Sequence, residues 1–175
     1  MPTVLGIDPG VSETGWAVLA GPDASKPRLA ASGLIKTRPS MSLPERLRLI
    51  HSGLAAVICE HAPDAVAVEE MFFLTAAHTV RATLQARGVV LLAAAQAGKA
   101  VSEYNPRAVK LAVTGSGSAA KDQMQSVVQK ILGLSERLRP DDVADAAAIA
   151  LCHLRSQRFK SLKVLDSFGG KRSLR

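Results

Sequence analysis

Val4-Leu5-Gly6-Ile7 is an apolar run that ends in a single carboxylate, Asp8, then breaks at Pro9-Gly10 and resumes as Thr14-Gly15-Trp16-Ala17-Val18-Leu19. Two apolar runs around a Pro-Gly break predict a β-hairpin with an acid at the tip of its first strand. Asp-Pro-Gly is also good turn chemistry, so Asp8 could simply cap its own turn. An ionised carboxylate beside apolar neighbours nevertheless costs free energy unless something cationic meets it. The rest of the chain supplies more such carboxylates.

Gly21-Pro22-Asp23 marks a turn, and the stretch from Arg28 to Ile35 predicts a third, antiparallel strand. Ser42 has the character of an N-cap, with Pro44 and Glu45 in the first turn. Leu43, Leu47, Ile50, Leu54, Val57 and Ile58 then follow at helical spacing and form one apolar face. The next strand, Ala65-Val66-Ala67-Val68, again ends in acid, at Glu69-Glu70. Glu69 therefore repeats the logic of Asp8 on a neighbouring strand, while Glu70 reads as a solvated loop residue. Met71-Phe72-Phe73-Leu74 is unusually apolar for a loop. Phe72 is either an aromatic that stacks on a base or an anchor for the loop.

From Thr75 to about Ala97 an Ala-rich helix is expected, closed by Gly98, with Gly88 inside it suggesting tight packing or a kink. This helix could face its own sheet or a second subunit. Ala100 to Tyr104 predicts the last strand, and Pro106 starts a helix with Arg107 and Lys110 on its outer surface. Gly115-Ser116-Gly117-Ser118 leads into a helix with Lys121 in its first turn. Such an approach would suit a phosphate, or it is a plain connecting loop.

The last helix follows Arg139-Pro140-Asp141-Asp142. Asp142 and Asp145 are three residues apart and share a face near its N-terminus. Capping accounts for one of Asp141 and Asp142 but not for Asp145. Beyond Asp145 that face is Ala, Ile and Leu, so the helix packs on the sheet and brings its acids toward the strand ends. Asp8, Glu69, Asp142 and Asp145 can thus meet in one place.

Four acids in one pocket cannot all stay ionised without cations. Oxygen-only ligands select hard ions such as Mg²⁺. Two such ions about 3.5–4 Å apart would activate a water on one side of a phosphodiester and stabilise the leaving oxygen on the other, which is nuclease chemistry. No His or Cys constellation offers a rival: His51, His61, His78 and His153 are scattered, with His153 expected at the surface or behind the ligands. Cys59 and Cys152 sit in apolar helical patterns and read as reduced, buried thiols.

The bulk composition agrees with one domain. At 175 residues, with 47% hydrophobic but only 3% aromatic residues, the core must be close-packed Ala, Val, Leu and Ile. No apolar run is long enough to span a bilayer and the N-terminus carries a strand instead of a signal peptide, so a cytoplasmic protein is expected. The net charge of +7 is concentrated at the C-terminal end, where seven basic residues from Arg155 onward face one acid, Asp166. Residues 1–156 are expected to form the nuclease domain and 157–175 a basic, disordered tail.

Gly6-Ile7-Asp8-Pro9-Gly10 with Thr14-Gly15, Ala67-Val68-Glu69-Glu70 with Phe72, Gln85-Ala86-Arg87-Gly88, the segment from Gly115 to Lys121, and Asp142-Val143-Ala144-Asp145-Ala146 together resemble the RuvC-type crossover junction endodeoxyribonucleases, bacterial Holliday junction resolvases. The resemblance implies an α/β, ribonuclease H-like fold with a central five-stranded mixed sheet flanked by helices. It implies that Asp8, Glu69, Asp142 and Asp145 are the catalytic metal ligands for two Mg²⁺ ions, with Mn²⁺ able to substitute. Acids fill both 141 and 142, and the resemblance selects Asp142, because a three-residue step to Asp145 is the family's spacing. Lys110 and Lys121 match basic positions near the scissile phosphate, and Phe72 matches an aromatic that stacks on an unpaired base. Arg81 completes the expected DNA-contacting set. The implied activity is resolution of four-way junctions by paired symmetric nicks, leaving 5′-phosphate and 3′-hydroxyl ends, in recombination and repair. The implied partners are a second copy of the chain and branch-migration proteins of the RuvA and RuvB type.

Three other readings use the same residues. A strand-end Asp followed by Gly and Thr occurs in actin-like ATP-binding modules, but those need two lobes and leave Glu69, Asp142 and Asp145 without a role. A ribonuclease H acting on RNA/DNA hybrids would use the same acids. A non-catalytic junction binder would have no use for buried negative charge beside phosphates.

Overall fold

The computed structural model describes residues 2–21, 27–70 and 78–169. Its elements are β1 (Thr3–Asp8), β2 (Glu13–Ala20), β3 (Arg28–Lys36), α1 (Leu43–His61), β4 (Ala65–Glu69), α2 (His78–Gln96), β5 (Ala100–Tyr104), α3 (Pro106–Thr114), α4 (Lys121–Leu132) and α5 (Asp141–Gly169). The five strands form one sheet in the order β3-β2-β1-β4-β5. The β1–β2 and β2–β3 pairs are antiparallel, and β1–β4 and β4–β5 are parallel. This is the expected mixed sheet.

Period-two alternation along the strands divides the core into two layers. Leu5, Ile7, Val18, Val66 and Val68 pack with α1 and α2, whereas Val4, Ala17, Leu19 and Ala67 pack with α3, α4 and α5. Asp8 shares the parity of Val4, and Glu69 that of Ala67. Because Ile7 pairs with Val68 in parallel register, the two acids follow side by side at the strand ends, on the α5 face. Asp8 is itself paired with Gly15 of β2, so it is a strand residue and not the cap of its own turn.

Helix α5 reaches the sheet through small residues. Ala146, Ala147, Ala148 and Ala150 are fully buried, and the strands opposite carry Gly6 and Gly15. A Cβ at Gly6 would overlap the Ala146 carbonyl and lie 2.8 Å from the Ala150 nitrogen. One at Gly15 would overlap the Asp142 carbonyl and lie 2.9 Å from the Asp142 Cβ. Both glycines are therefore required by close backbone approach, and the approach puts the start of α5 directly over the end of β1.

The turn between β1 and β2 is braced both from within the hairpin and from outside it. Buried Thr14 donates its hydroxyl to the Gly10 carbonyl at 2.7 Å. Buried Thr37 donates to the Val11 carbonyl at 2.6 Å and accepts from Arg46 Nε at 2.8 Å, while Arg46 Nη2 donates to Ser12 Oγ at 2.8 Å. Helix α1 begins as expected, with the Glu45 carboxylate accepting from the Ser42 N–H at 2.9 Å.

Several expectations change. Gly88 is exposed and a Cβ there would meet nothing within 4 Å, so it marks neither tight packing within this chain nor a break in α2. Cys59 is exposed and only Cys152 is buried; residue 59 lies one step beyond the Ile50, Leu54, Val57 and Ile58 stripe and is carried off it by the 100° helical turn. His153 is buried, with Nδ1 at 3.0 Å from the Tyr104 hydroxyl, and not at the surface. Helix α5 runs to Gly169, over a stretch rich in the good helix formers Arg, Gln, Lys and Leu. Among the described residues no helix is long and apolar enough to cross a membrane.

Candidate active site

Three elements deliver the four acids. β1 ends in Asp8, β4 ends in Glu69, and the first turn and a half of α5 carries Asp142 and Asp145. Burial pushes the Asp8 carboxyl up to about 7, with Glu69, Asp145 and Asp142 adding to the shift in that order and Lys121 opposing it. All three other acids thus act on Asp8. Burial also raises Glu69, where Asp145 adds to the effect and Lys110 opposes it. Asp145 is raised by burial against the pull of Lys121.

A cavity of about 270 Å³ opens beside Glu69 and Asp145, between β4, α3, α4 and α5, with Lys110, Lys121, Met124 and Ile149 in its lining. Lys110, expected on the outer surface of α3, instead turns into this cavity. Val109 and Val113 fix the buried face of α3, and residue 110, one step from Val109, lies on the flank that meets Glu69. Asn105 positions that helix by accepting from the Ala108 N–H at 2.7 Å, and α3 ends at Gly115 with φ of 81°. Lys121 is the first residue of α4, and its ammonium lies 3.4 Å from Asp145 Oδ2 and 3.2 Å from Asp141 Oδ2.

The donor set suits a hard divalent cation. It consists of carboxylates alone, and burial with the neighbouring acids raises the protonation of Asp8, Glu69 and Asp145, an environment that a cation would relieve. Asp145 adds a direct mark: its Oδ1 is buried without a hydrogen-bond partner. Among the described residues no three acid, imidazole or thiol side chains form a ready-made metal cage.

Asp141 does not join the four. It faces α4, where Gln125 Nε2 donates to its Oδ1 at 2.9 Å and Arg139 Nη1 lies 3.6 Å from the same oxygen. The hydrogen bonds from Gln125 and Lys121 hold its carboxyl below the usual range. Arg81 is exposed on α2. Phe72 and its neighbours in 71–77 lie outside the described residues. Sequence reasoning misses Thr37, Arg46, Gln125 and Asp141 as supports of the site; among them only Asp141 carries a signal, as the second acid of a pair where capping accounts for one.

Residues 4–153 match the family described as crossover junction endodeoxyribonuclease RuvC. The chain belongs to the RuvC family. It is 48% identical over 158 residues to the RuvC of Syntrophomonas wolfei subsp. wolfei, covering 90% of this chain and 91% of that one. It is 51% identical over 149 residues to the RuvC of Chloroflexus aggregans, covering 85% and 90%. Among solved structures it is similar to Thermus thermophilus RuvC in complex with Holliday junction substrate, with a TM-score of 0.87, 41% identity, and 91% and 97% of the two chains covered. The yeast mitochondrial Holliday junction resolvase Ydc2 shares the fold at 13% identity, with a TM-score of 0.67. The RuvC fold is ribonuclease H-like, and membership makes this chain a crossover junction endodeoxyribonuclease of a metal-dependent class. The actin-like and hybrid-cutting readings are not favoured.

Proposed function

We propose that Asp8, Glu69, Asp142 and Asp145 bind two Mg²⁺ ions, or Mn²⁺ in their place, and that a homodimer uses two such sites to nick a four-way DNA junction symmetrically. The observation that carries this reading is the single charge environment of Asp8, in which burial and three further acids together oppose its ionisation. When bound, the ions would supply an activated water and stabilise the leaving 3′-oxygen, so that the ends are a 5′-phosphate and a 3′-hydroxyl.

The chain's own residues then have distinct tasks. The four carboxylates orient the ions. Lys110 and Lys121, flanking the cavity beside Glu69 and Asp145, neutralise the scissile phosphate and hold it over the acids. Exposed Arg81 contacts the DNA backbone, and Phe72 stacks on an unpaired base at the crossover. Helix α2 offers a face to a second copy: Leu92 is 51% exposed, and Gly88, four residues before it, leaves open space in which another backbone can approach closely. A two-fold dimer matches the symmetry of paired nicks. The reaction belongs to recombination and repair, and on this reading it takes place in the cytoplasm with branch-migration proteins of the RuvA and RuvB type as partners.

The test is cleavage of a synthetic four-way junction beside a linear duplex and an RNA/DNA hybrid, with Mg²⁺, Mn²⁺ or EDTA, for wild type and Asp8→Asn. Paired nicks in the junction alone, lost with EDTA and in Asp8→Asn, are expected. Cleavage of the hybrid in preference to the junction, or junction cleavage that survives EDTA, overturns the reading.

A further inference from the structure

Two consecutive acids open α5, and the helix sends them to different places. Residues one apart are separated by about 100° around an α-helix. Asp142 is pressed against Gly15 and acts on Asp8, so Asp141 must turn away from the sheet, and it meets α4. There Lys121 and Gln125 are four residues apart on one helix, and Asp141 and Asp145 four apart on the other, so each pair presents one face to its neighbour. The contacts form a ladder. Gln125, itself buried, donates to Asp141 Oδ1 at 2.9 Å, and the Lys121 ammonium bridges Asp141 Oδ2 at 3.2 Å and Asp145 Oδ2 at 3.4 Å. Asp122, the one acid in the first turn of α4, is engaged by Arg137 and does not compete for Lys121.

Both oxygens of Asp141 are thus committed to donors, whereas Asp145 has one oxygen on Lys121 and the other without a partner. We propose that Asp141 is a positioning residue that holds Lys121 beside the four acids and relieves Asp145 of it, so that a divalent cation need not compete with the full charge of the ammonium for Asp145. This rests on the metal-binding reading above. In the metal-free site Lys121 serves as a shared counter-ion. As a cation takes Asp145, the ammonium shifts its weight onto Asp141, which Gln125 keeps in place, and stays within reach of an incoming phosphate. Without Asp141 the lysine has Asp145 as its remaining acid partner in the ladder and resists the exchange.

The competing explanation is that Asp141 adds negative charge to the field at the metal site and does nothing through Lys121. A double-mutant cycle separates the two. Mn²⁺ affinity is measured on the full-length, DNA-free protein by electron paramagnetic resonance of the free ion, for wild type, Asp141→Asn, Lys121→Met and the double variant, with circular dichroism confirming the fold. Asp141→Asn is expected to weaken Mn²⁺ binding by about two- to fivefold, the range for a partly exposed charge pair. Lys121→Met is expected to tighten it. In the Lys121→Met background the Asp141→Asn effect is expected to vanish, and Asp141→Glu is expected to retain wild-type affinity. An equal loss on Asp141→Asn with and without Lys121 overturns the positioning role, as does no loss at all. Asp8→Asn serves as the separate control. If the wild type binds no more Mn²⁺ than Asp8→Asn, the metal reading itself fails and takes the proposal with it.

Discussion

The Asp142 backbone lies against Gly15 so closely that a Cβ on the glycine would sit 2.9 Å from the Asp142 Cβ and overlap its carbonyl oxygen. Since Gly15 is also the register partner of Asp8, one glycine sets the distance between the two acids. Gly15→Ala is therefore expected to push the start of α5 away from β1. Overpacking of this kind costs about 1–3 kcal/mol, which urea denaturation would read, and junction cleavage should fall by more than the loss of folded protein explains.

Gly88 gives the opposite outcome. It is exposed within α2 and a Cβ there meets nothing within 4 Å, so Gly88→Ala should stabilise the folded chain by about 0.5–1 kcal/mol through helix propensity alone. If α2 carries the proposed dimer contact, the same substitution weakens self-association, and sedimentation of the variant against wild type would show it. Unchanged self-association would place the contact elsewhere.

The raised protonation of Asp8 makes a pH prediction. An unfolded aspartate titrates near 3.8, while burial and the neighbouring acids bring the folded group to about 7. Between these values the native state binds more protons than the unfolded one, so stability falls as pH rises. The contribution is fully present below about 4 and lost by about 7, and Glu69 and Asp145 act in the same direction. A tenfold change in proton affinity is worth about 1.4 kcal/mol, so the Asp8 contribution reaches as much as about 4 kcal/mol. In EDTA the thermal midpoint should decline across this window, Asp8→Asn should flatten the decline and raise the midpoint at pH 8, and saturating Mg²⁺ should offset it. A wild-type profile parallel to that of Asp8→Asn would remove Asp8 as the cause.

Asp145→Asn keeps the shape of the site and removes a charge. Junction binding should stay level or tighten, because a carboxylate no longer opposes the phosphates. Cleavage should fall by more than about 100-fold, since even partners behind metal ligands cost 10–100-fold. Lost binding in a folded variant would show that Asp145 is a binding residue and not a ligand.

Thr37 is far in sequence from the hairpin it braces, yet its hydroxyl both donates to the Val11 carbonyl and accepts from Arg46. Thr37→Val retains the shape and deletes both bonds, leaving a buried carbonyl without its donor at about 1–3 kcal/mol. Chemical denaturation should detect that loss, and cleavage should slow at saturating metal as the turn beyond Asp8 loosens.

Strand-end acids are legible because an apolar run that stops at a carboxylate states both the element and the position of the charge. Asp8 and Glu69 follow from that pattern, and Asp145 follows from a charge on the apolar side of a helix. These depend only on local periodicity, which the backbone geometry of a strand or helix enforces wherever the chain lies. The separate destinations of Asp141 and Asp142 do not follow, because adjacent helical residues differ only in azimuth, and azimuth acquires meaning when Gly15 and Gly6 seat α5 against the sheet. Lys110 turns inward, Cys59 outward and His153 into the core beside Tyr104 for the same reason. By itself the sequence determined which stretches form the strands and helices and that carboxylates end two apolar strands and open the last helix. Only the tertiary structure decided which cation each acid meets, that Lys121 is divided between Asp141 and Asp145, and that Thr37 and Arg46 brace the turn after Asp8. Those contacts join elements that are distant along the chain, and their geometry exists only once the sheet and its two helical layers have packed.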